Sequence, residues 1–291
     1  MNDASIKGGV MITGSCLCGT VSWQVDGVLD EMSHCHCSMC RKAHAAPFAT
    51  YVNEKRDNFR WLSGEDTITG YESSPGIIRN FCSNCGSVVP AAFGKHRIAL
   101  PAGGLDGDPG VRPTAHIFVS SKAPWYEISD DLPQFDAYPD PDDHPSVERP
   151  AHSQSKDGKM RGSCLCGDVA YEVSTPIRAA HNCHCSRCRK ARAAAHTTNG
   201  FTAMDGVVFV RGENKLRAFK VPSAQFFTQV FCTRCGSGMP RKDPDRNIAN
   251  IPFGSLDDDP GRGADDHIFI GSKAPWFTIT DELPSFEERA G

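Results

Sequence analysis

No apolar run in this 291-residue chain approaches the roughly 18 residues a membrane-spanning helix requires. The opening MNDASIKGG has none of the apolar stretch of a secretory leader, so export is not expected and a cytoplasmic location is the default reading. An excess of basic charge is also missing. A net charge of −4 and a pI near 6.2 leave no electrostatic footprint for a phosphate backbone, which removes nucleic acid as an expected partner. Long amphipathic helical patterns are scarce, and the only helix-forming segments of note are MCRKAHAA at 39–46 and RCRKARAAA at 187–195, each enough for about two turns. The cysteines lack the H-x-E and P-C-x-x-C context of zinc deaminases, which ranks that chemistry last.

Cysteine is what the chain has in quantity. Fourteen fall into two sets of seven in the same order: Cys16, Cys18, Cys35, Cys37, Cys40, Cys82 and Cys85, then Cys164, Cys166, Cys183, Cys185, Cys188, Cys232 and Cys235. Cys164 stands 148 residues after Cys16, and Cys232 stands 150 after Cys82, so two residues separate the copies over that interval. GSCLCG, CHCS-x-CRKA, FC-x-x-CGS and SKAPW recur with them, which marks a duplication. Copy one is assigned to 12–135 and copy two to 160–287. The intervening 136–159, rich in Pro, Asp, His and Ser, reads as a solvated linker. With 39% hydrophobic residues, each copy is expected to bury its own core. Short runs rich in Val, Ile, Phe, Trp and Thr, bounded by Gly, Pro and Asp, predict strands at VSWQV 21–25, FATYV 48–52, FRWL 59–62 and HIFV 116–119, with counterparts VAYEV, VVFV and HIFI. The fold class is all-β, two tandem zinc-binding β modules with short helical turns.

C-x-C and C-x-x-C spacing suits metal better than disulfides in a chain with no sign of export. Seven sulfurs cannot complete two four-sulfur sites. Spacing divides them into a closed structural group, Cys16, Cys18, Cys82 and Cys85, and a three-sulfur group, Cys35, Cys37 and Cys40, with an open fourth position. Copy two repeats the division as Cys164, Cys166, Cys232 and Cys235 against Cys183, Cys185 and Cys188. The expectation is two Zn2+ per domain and four per chain. The other possibility is that a histidine completes the second site; only His36 has a histidine counterpart, His184, while His34 faces Asn182 and His44 faces Arg192. Zinc with three thiolates carries a formal charge of −1 (+2 − 3), a weak Lewis acid but a centre suited to a thiol as fourth ligand, which it keeps deprotonated and nucleophilic. Arg41, Lys42, Arg189 and Lys190, directly after the third cysteine, are candidates to pair with the carboxylates of an anionic thiol such as glutathione. His116 and His267 read as core or turn partners, Trp125 and Trp276 as packing residues, Asp106 and Asp257 as turn-formers, and Ser38 and Ser186 as partners within the cysteine turn.

GSCLCG, CHCSMCRK, FCSNCGS, the GGLD turn and the HIF…SKAPW…LPQF tail together resemble the glutathione-dependent formaldehyde-activating enzyme family, also called centromere-protein-V-like, over nearly the whole of each copy. The resemblance implies an Mss4-like fold and the four-plus-three division of sulfurs. It implies a carbon–sulfur lyase activity in which a zinc-bound thiolate of glutathione adds to formaldehyde, with Cys35, Cys37, Cys40, Cys183, Cys185 and Cys188 at the reacting centre. Small-molecule thiol and aldehyde are then the partners. A non-catalytic, zinc-stabilised glutathione carrier or protein-binding module is the alternative. Two departures from the family pattern stand out: Ala45-Ala46 where many members carry glycine, and two modules where one suffices.

Overall fold

A computed structural model describes residues 11–29, 31–139 and 158–289. Most of the assigned linker, 140–157, lies outside the described residues.

Each copy opens with a three-stranded antiparallel sheet, Met11–Ser15, Ser22–Asp26 and Phe59–Ser63 in copy one and Met160–Ser163, Ala170–Val173 and Val207–Arg211 in copy two. Gly14 and Gly162 lie under the rings of Trp23 and Tyr171. A Cβ on either glycine would come within 2.4 Å of that ring, so the large aromatic and the glycine require each other. The central sheet has six strands. In copy one the order is Gln134–Phe135, His116–Ile117, Met32–Cys35, Ala49–Lys55, Arg97–Pro101, Ala91–Phe93, and copy two repeats it. His116–Ile117 runs parallel to both its neighbours, and the remaining pairings are antiparallel. The HIFV strand is shorter than the sequence predicts because Phe118, like Phe269, turns into the left-handed region at φ 59°, which ends extended structure.

The two predicted helical segments form as α1, Ser38–His44, and α2, Ser186–Arg192. Both end at an alanine in the left-handed region, Ala45 (φ 47°) and Ala193 (φ 49°). This conformation costs a residue with a Cβ on the order of 1 kcal/mol, and the departure from glycine noted in the sequence falls on it.

The expectation that each copy buries its own core is corrected by the packing. Trp276, Ala274 and Phe277 of copy two belong to the core of copy one, with Trp23, Val52 and Leu100; Trp125 and Ala123 of copy one belong to the core of copy two, with Tyr171, Ile251 and Phe253. The APW tails are thus exchanged, and Trp125 meets Phe253 edge-on at 5.3 Å. The exchange needs close backbone approach, which glycine supplies: a Cβ on Gly103 would stand 2.2 Å from Ala194 N, and one on Gly254 2.3 Å from Ala46 N. Phe81 and Phe231 meet across the same interface. The sequence shows the repeat but not the crossing of its tails, because an apolar APW segment satisfies either core equally.

Candidate metal centres and a cationic cavity

The four-sulfur groups are built from two turns. Cys16 and Cys18 follow the first strand, while Cys82 ends Ile77–Cys82 and Cys85 lies in the turn after it, where Gly86 is left-handed and packs on Phe231 of the other copy. The sulfurs of each group lie within 4.8 Å of one another. Cys16–Cys18 and Cys18–Cys82 are 3.4 and 3.8 Å apart, as are Cys164–Cys166 and Cys166–Cys232. A tetrahedron with zinc–sulfur bonds of about 2.3 Å has edges of roughly 3.8 Å, so the donor set fits zinc. Amides point at the sulfurs in both copies: Val21 N to Cys16 Sγ and Val169 N to Cys164 Sγ, each 3.3 Å. Ser87 and Ser237 brace the turns by accepting from Leu17 N and Leu165 N at 3.0 Å.

The three-sulfur groups arise where a strand passes into a helix. Cys35 ends its strand, Cys37 caps α1 by accepting from Cys40 N at 3.2 Å, and Cys40 sits in the first turn; Cys183, Cys185 and Cys188 repeat this, with the cap at 3.4 Å. All six are buried. Hydrogen bonding from the neighbouring thiols, followed by burial, pushes Cys35 and Cys183 well above the usual thiol range. A metal ion entering either group therefore displaces protons. Among the described residues no histidine or carboxylate joins either trio. His36 turns away, its Nε2 2.8 Å from His116 Nδ1, and His116 reaches Asp130 at 2.9 Å; His184, His267 and Asp281 repeat this chain at 2.8 and 3.0 Å. His34 bonds Thr50, and His44 is held between Arg192 O and Tyr51 Oη, both at 2.7 Å. Burial lowers the His44 pKa to about 4.

The basic residues after the third cysteine have other engagements. Lys42 Nζ crosses to copy two, donating to Ser163 O at 2.8 Å and pairing with Asp257 at 2.6 Å; Lys190 crosses back to Gly104 O at 2.8 Å and Asp106 at 2.5 Å. The two lysines and the two turn aspartates thus fasten the copies to each other. Arg41 is buried, and Arg189 Nε donates to Ser272 O.

What the sequence reading missed is the wall around the copy-two trio. A cavity of about 350 Å3 lies over Cys183, Cys185 and Cys188, lined by Arg187, Arg192, Arg241, Arg246 and Arg289 and, among the described residues, by no carboxylate. This volume is in the range of small-molecule sites. Arg192 is 7% exposed with Nη1 lacking a hydrogen-bond partner among the described residues, and burial lowers its pKa to about 10, opposed by the charge of Cys188. His181 also lines the cavity, with Nδ1 2.7 Å from Asp266. The five arginines are scattered over a hundred residues, and only the fold reveals that they converge.

The family model described as glutathione-dependent formaldehyde-activating enzyme matches residues 11–121 and again 159–272. An uncharacterized lyase of Schizosaccharomyces pombe is 25% identical over 126 residues, which is 42% of this chain and 88% of that protein. A crystal structure of a Rhodobacter sphaeroides protein overlaps 33% of this chain and 87% of its own length at 23% identity, with a TM-score of 0.29. Among the described residues, no helix is long and apolar enough to cross a membrane.

Proposed function

The chain belongs to the glutathione-dependent formaldehyde-activating enzyme family, and from that premise we propose a zinc-dependent carbon–sulfur lyase-type enzyme that joins glutathione, or a similar thiol, to formaldehyde or another small aldehyde. The observation that carries this reading is a buried trio of sulfurs, with no fourth protein donor among the described residues, at the base of a cavity walled by arginine. Zinc on such a trio supplies a fourth position at which an incoming thiol loses its proton and stays nucleophilic.

In this reading the arginine side chains hold the carboxylates of the thiol by paired, charge-assisted hydrogen bonds and aim its sulfur at the trio. Phe227, Phe269 and Ile268 form the apolar part of the wall and restrict water. Addition then forms one carbon–sulfur bond: the sulfur attacks the aldehyde carbon, the carbonyl π pair moves to oxygen, and the proton given up by the thiol ends on that oxygen. Metal-ligand spacing of fourteen cysteines suits a cytoplasmic setting, where thiols stay reduced. A carrier that holds the thiol without accelerating its addition is the second reading, favoured by the lack of any carboxylate among the cavity's lining residues to move protons.

The test is exchange-rate measurement by NMR on mixtures of glutathione and formaldehyde with zinc-loaded protein. A formation rate at least tenfold above buffer is expected. A rate equal to buffer, with glutathione still bound, leaves the carrier.

A further inference from the structure

The two three-sulfur groups share a local fold but not surroundings. Equivalence between the copies follows from the sheet register: Phe135 pairs with Ile117 as Phe286 pairs with Ile268. Tyr138, three residues past Phe135, therefore corresponds to Arg289, three past Phe286. By the same register Asn199 stands where copy one has Tyr51, and the His181–Asp266 pair stands where copy one has Ser33 and Ala115. Arg187 takes the place of Met39 in the helix, and Arg241 that of Ala91 at the start of a short strand.

In copy one three of these residues, Tyr138, Tyr51 and Met39, pack against the sulfurs. Tyr138 packs with Tyr51, Met39 and Phe118 in one cluster with Cys35, Cys37 and Cys40, and meets Phe118 edge-on at 4.9 Å. Burial, then the charges of Cys35, Cys40 and Cys37, push the Tyr138 phenol up, as expected for a ring lying against the sulfurs. Arg79 completes the cover, with Nη1 and Nη2 3.5 and 3.6 Å from Cys40 Sγ and Nη1 3.4 Å from Tyr51 Oη. In copy two Arg289 lies to the side, its guanidinium over Phe226 at 5.5 Å, and leaves the cavity open.

We propose that ligand exchange is confined to copy two, whose arginine-walled cavity takes a thiol bearing more than one carboxylate, while copy one is closed over its trio by Tyr138, Tyr51 and Arg79 and serves as a structural site. The proposal rests on the thiol-binding reading above and adds which site is used and what selects the ligand. Arg289 and Arg241 are the specificity-determining residues. Five guanidinium groups with Asp243 as the partner of two of them, Arg241 at 3.3 Å and Arg246 at 2.7 Å, leave net positive charge facing the cavity. A thiol with one carboxylate engages fewer of those guanidinium groups than a thiol with two does.

The experiment is titration calorimetry of the zinc-loaded full chain with glutathione, paired with the visible spectrum of the cobalt-substituted protein, neither of which requires turnover. One glutathione per chain is expected, with about half of the three-sulfur cobalt signal shifted. Arg289→Ala should weaken binding at least tenfold, and the mono-carboxylate 3-mercaptopropionate should bind at least tenfold more weakly than glutathione. Arg289→Tyr should abolish binding, and Tyr138→Ala should add a second, weaker equivalent. Two equal glutathiones per wild-type chain, or affinity indifferent to Arg289, would overturn the assignment to copy two and leave thiol binding intact. No glutathione bound at all would overturn the thiol reading itself. The Arg289 variants alter a solvent-facing position and decide the matter even if Tyr138→Ala does not fold.

Discussion

The four-sulfur groups of the two copies match closely in their contacts, down to equal sulfur spacings and equal amide-to-sulfur distances, whereas the three-sulfur groups share Ile117/Ile268 and Phe118/Phe269 but differ at Met39/Arg187, Tyr51/Asn199 and Tyr138/Arg289. The contrast follows from how the copies depend on each other. Each copy's core is completed by the other's tryptophan, and each turn after Gly104 or Ser255 is held by a lysine from the other copy. A change in those parts damages both halves. A change around one three-sulfur group leaves the other intact, so that region is where the copies could part. One property survives the divergence: each trio keeps a guanidinium close by. In copy one Arg79 supplies it from a strand and the helix carries His44; in copy two the helix supplies Arg192 and the strand position holds Gln229. A metal–trithiolate unit of charge −1 on these buried sulfurs would call for such a counter-cation, whichever element delivers it.

The largest effect that tests this dependence is metal removal. A structural zinc site contributes on the order of 10 kcal/mol of apparent binding energy, more than the stability of an ordinary domain. A strong chelator that strips the four-sulfur groups should unfold both copies in a single transition, because neither core is complete without the other. Circular dichroism followed against chelator concentration checks it; two transitions well apart would mean that the copies stand alone and that the tail exchange adds little.

Next in size is the tail itself. Trp276 is 1% exposed inside the copy-one core and Trp125 9% exposed inside the copy-two core. Trp276→Ala should cost about 3–5 kcal/mol, and Trp125→Ala less. Denaturation in urea measures both. The sharper readout is location: amide shifts should spread around Trp23 and Leu100 of copy one for a substitution made in copy two. Shifts confined to copy two would break the exchange.

The sequence was sufficient for the parts that repeat. Fourteen cysteines in two equal sets predict the grouping of sulfurs: C-x-C and C-x-x-C turns impose proximity within each turn, two such turns supply one four-sulfur set, and the structure brings together the same four and three. The all-β class is likewise readable from strand-like runs between turn residues. What depends on long-range placement was not readable. Lys42 and Lys190 look like ligand contacts because they adjoin the cysteines, but one helical turn aims them across the interface. Arg289 and Tyr138 follow their copies' last strands and carry no local pattern, so the feature that most separates the two sites appears only once Phe135 and Phe286 are aligned through the sheet.

The smallest effect probes the remaining asymmetry, a histidine at a position where its counterpart is aromatic. Phe48 in copy one corresponds to His196 in copy two, and the two rings meet at 5.6 Å between the copies, with Phe277 and His184 also against His196. His196 is 2% exposed and neither ring nitrogen has a hydrogen-bond partner among the described residues. Burial lowers its pKa from 6.5 to about 3, with the His267 charge adding to this. His196→Phe should therefore stabilise the protein at pH 7 by about 1 kcal/mol, the order of the desolvation cost of an unpaired polar group. Below pH 6.5 the unfolded chain takes up a proton at this site that the folded chain refuses, so wild-type stability falls as pH falls, and the contribution continues to fall until about pH 3. The substitution removes that slope. At pH 5 its advantage should exceed the pH 7 value by about 2 kcal/mol, the free energy of one and a half pH units. Urea midpoints of wild type and variant at the two pH values measure this. A variant advantage that shrinks toward pH 5 would mean His196 takes its proton in the folded state, as a histidine with a paired, solvated nitrogen would, and the interface would then be wetter at copy two than at copy one.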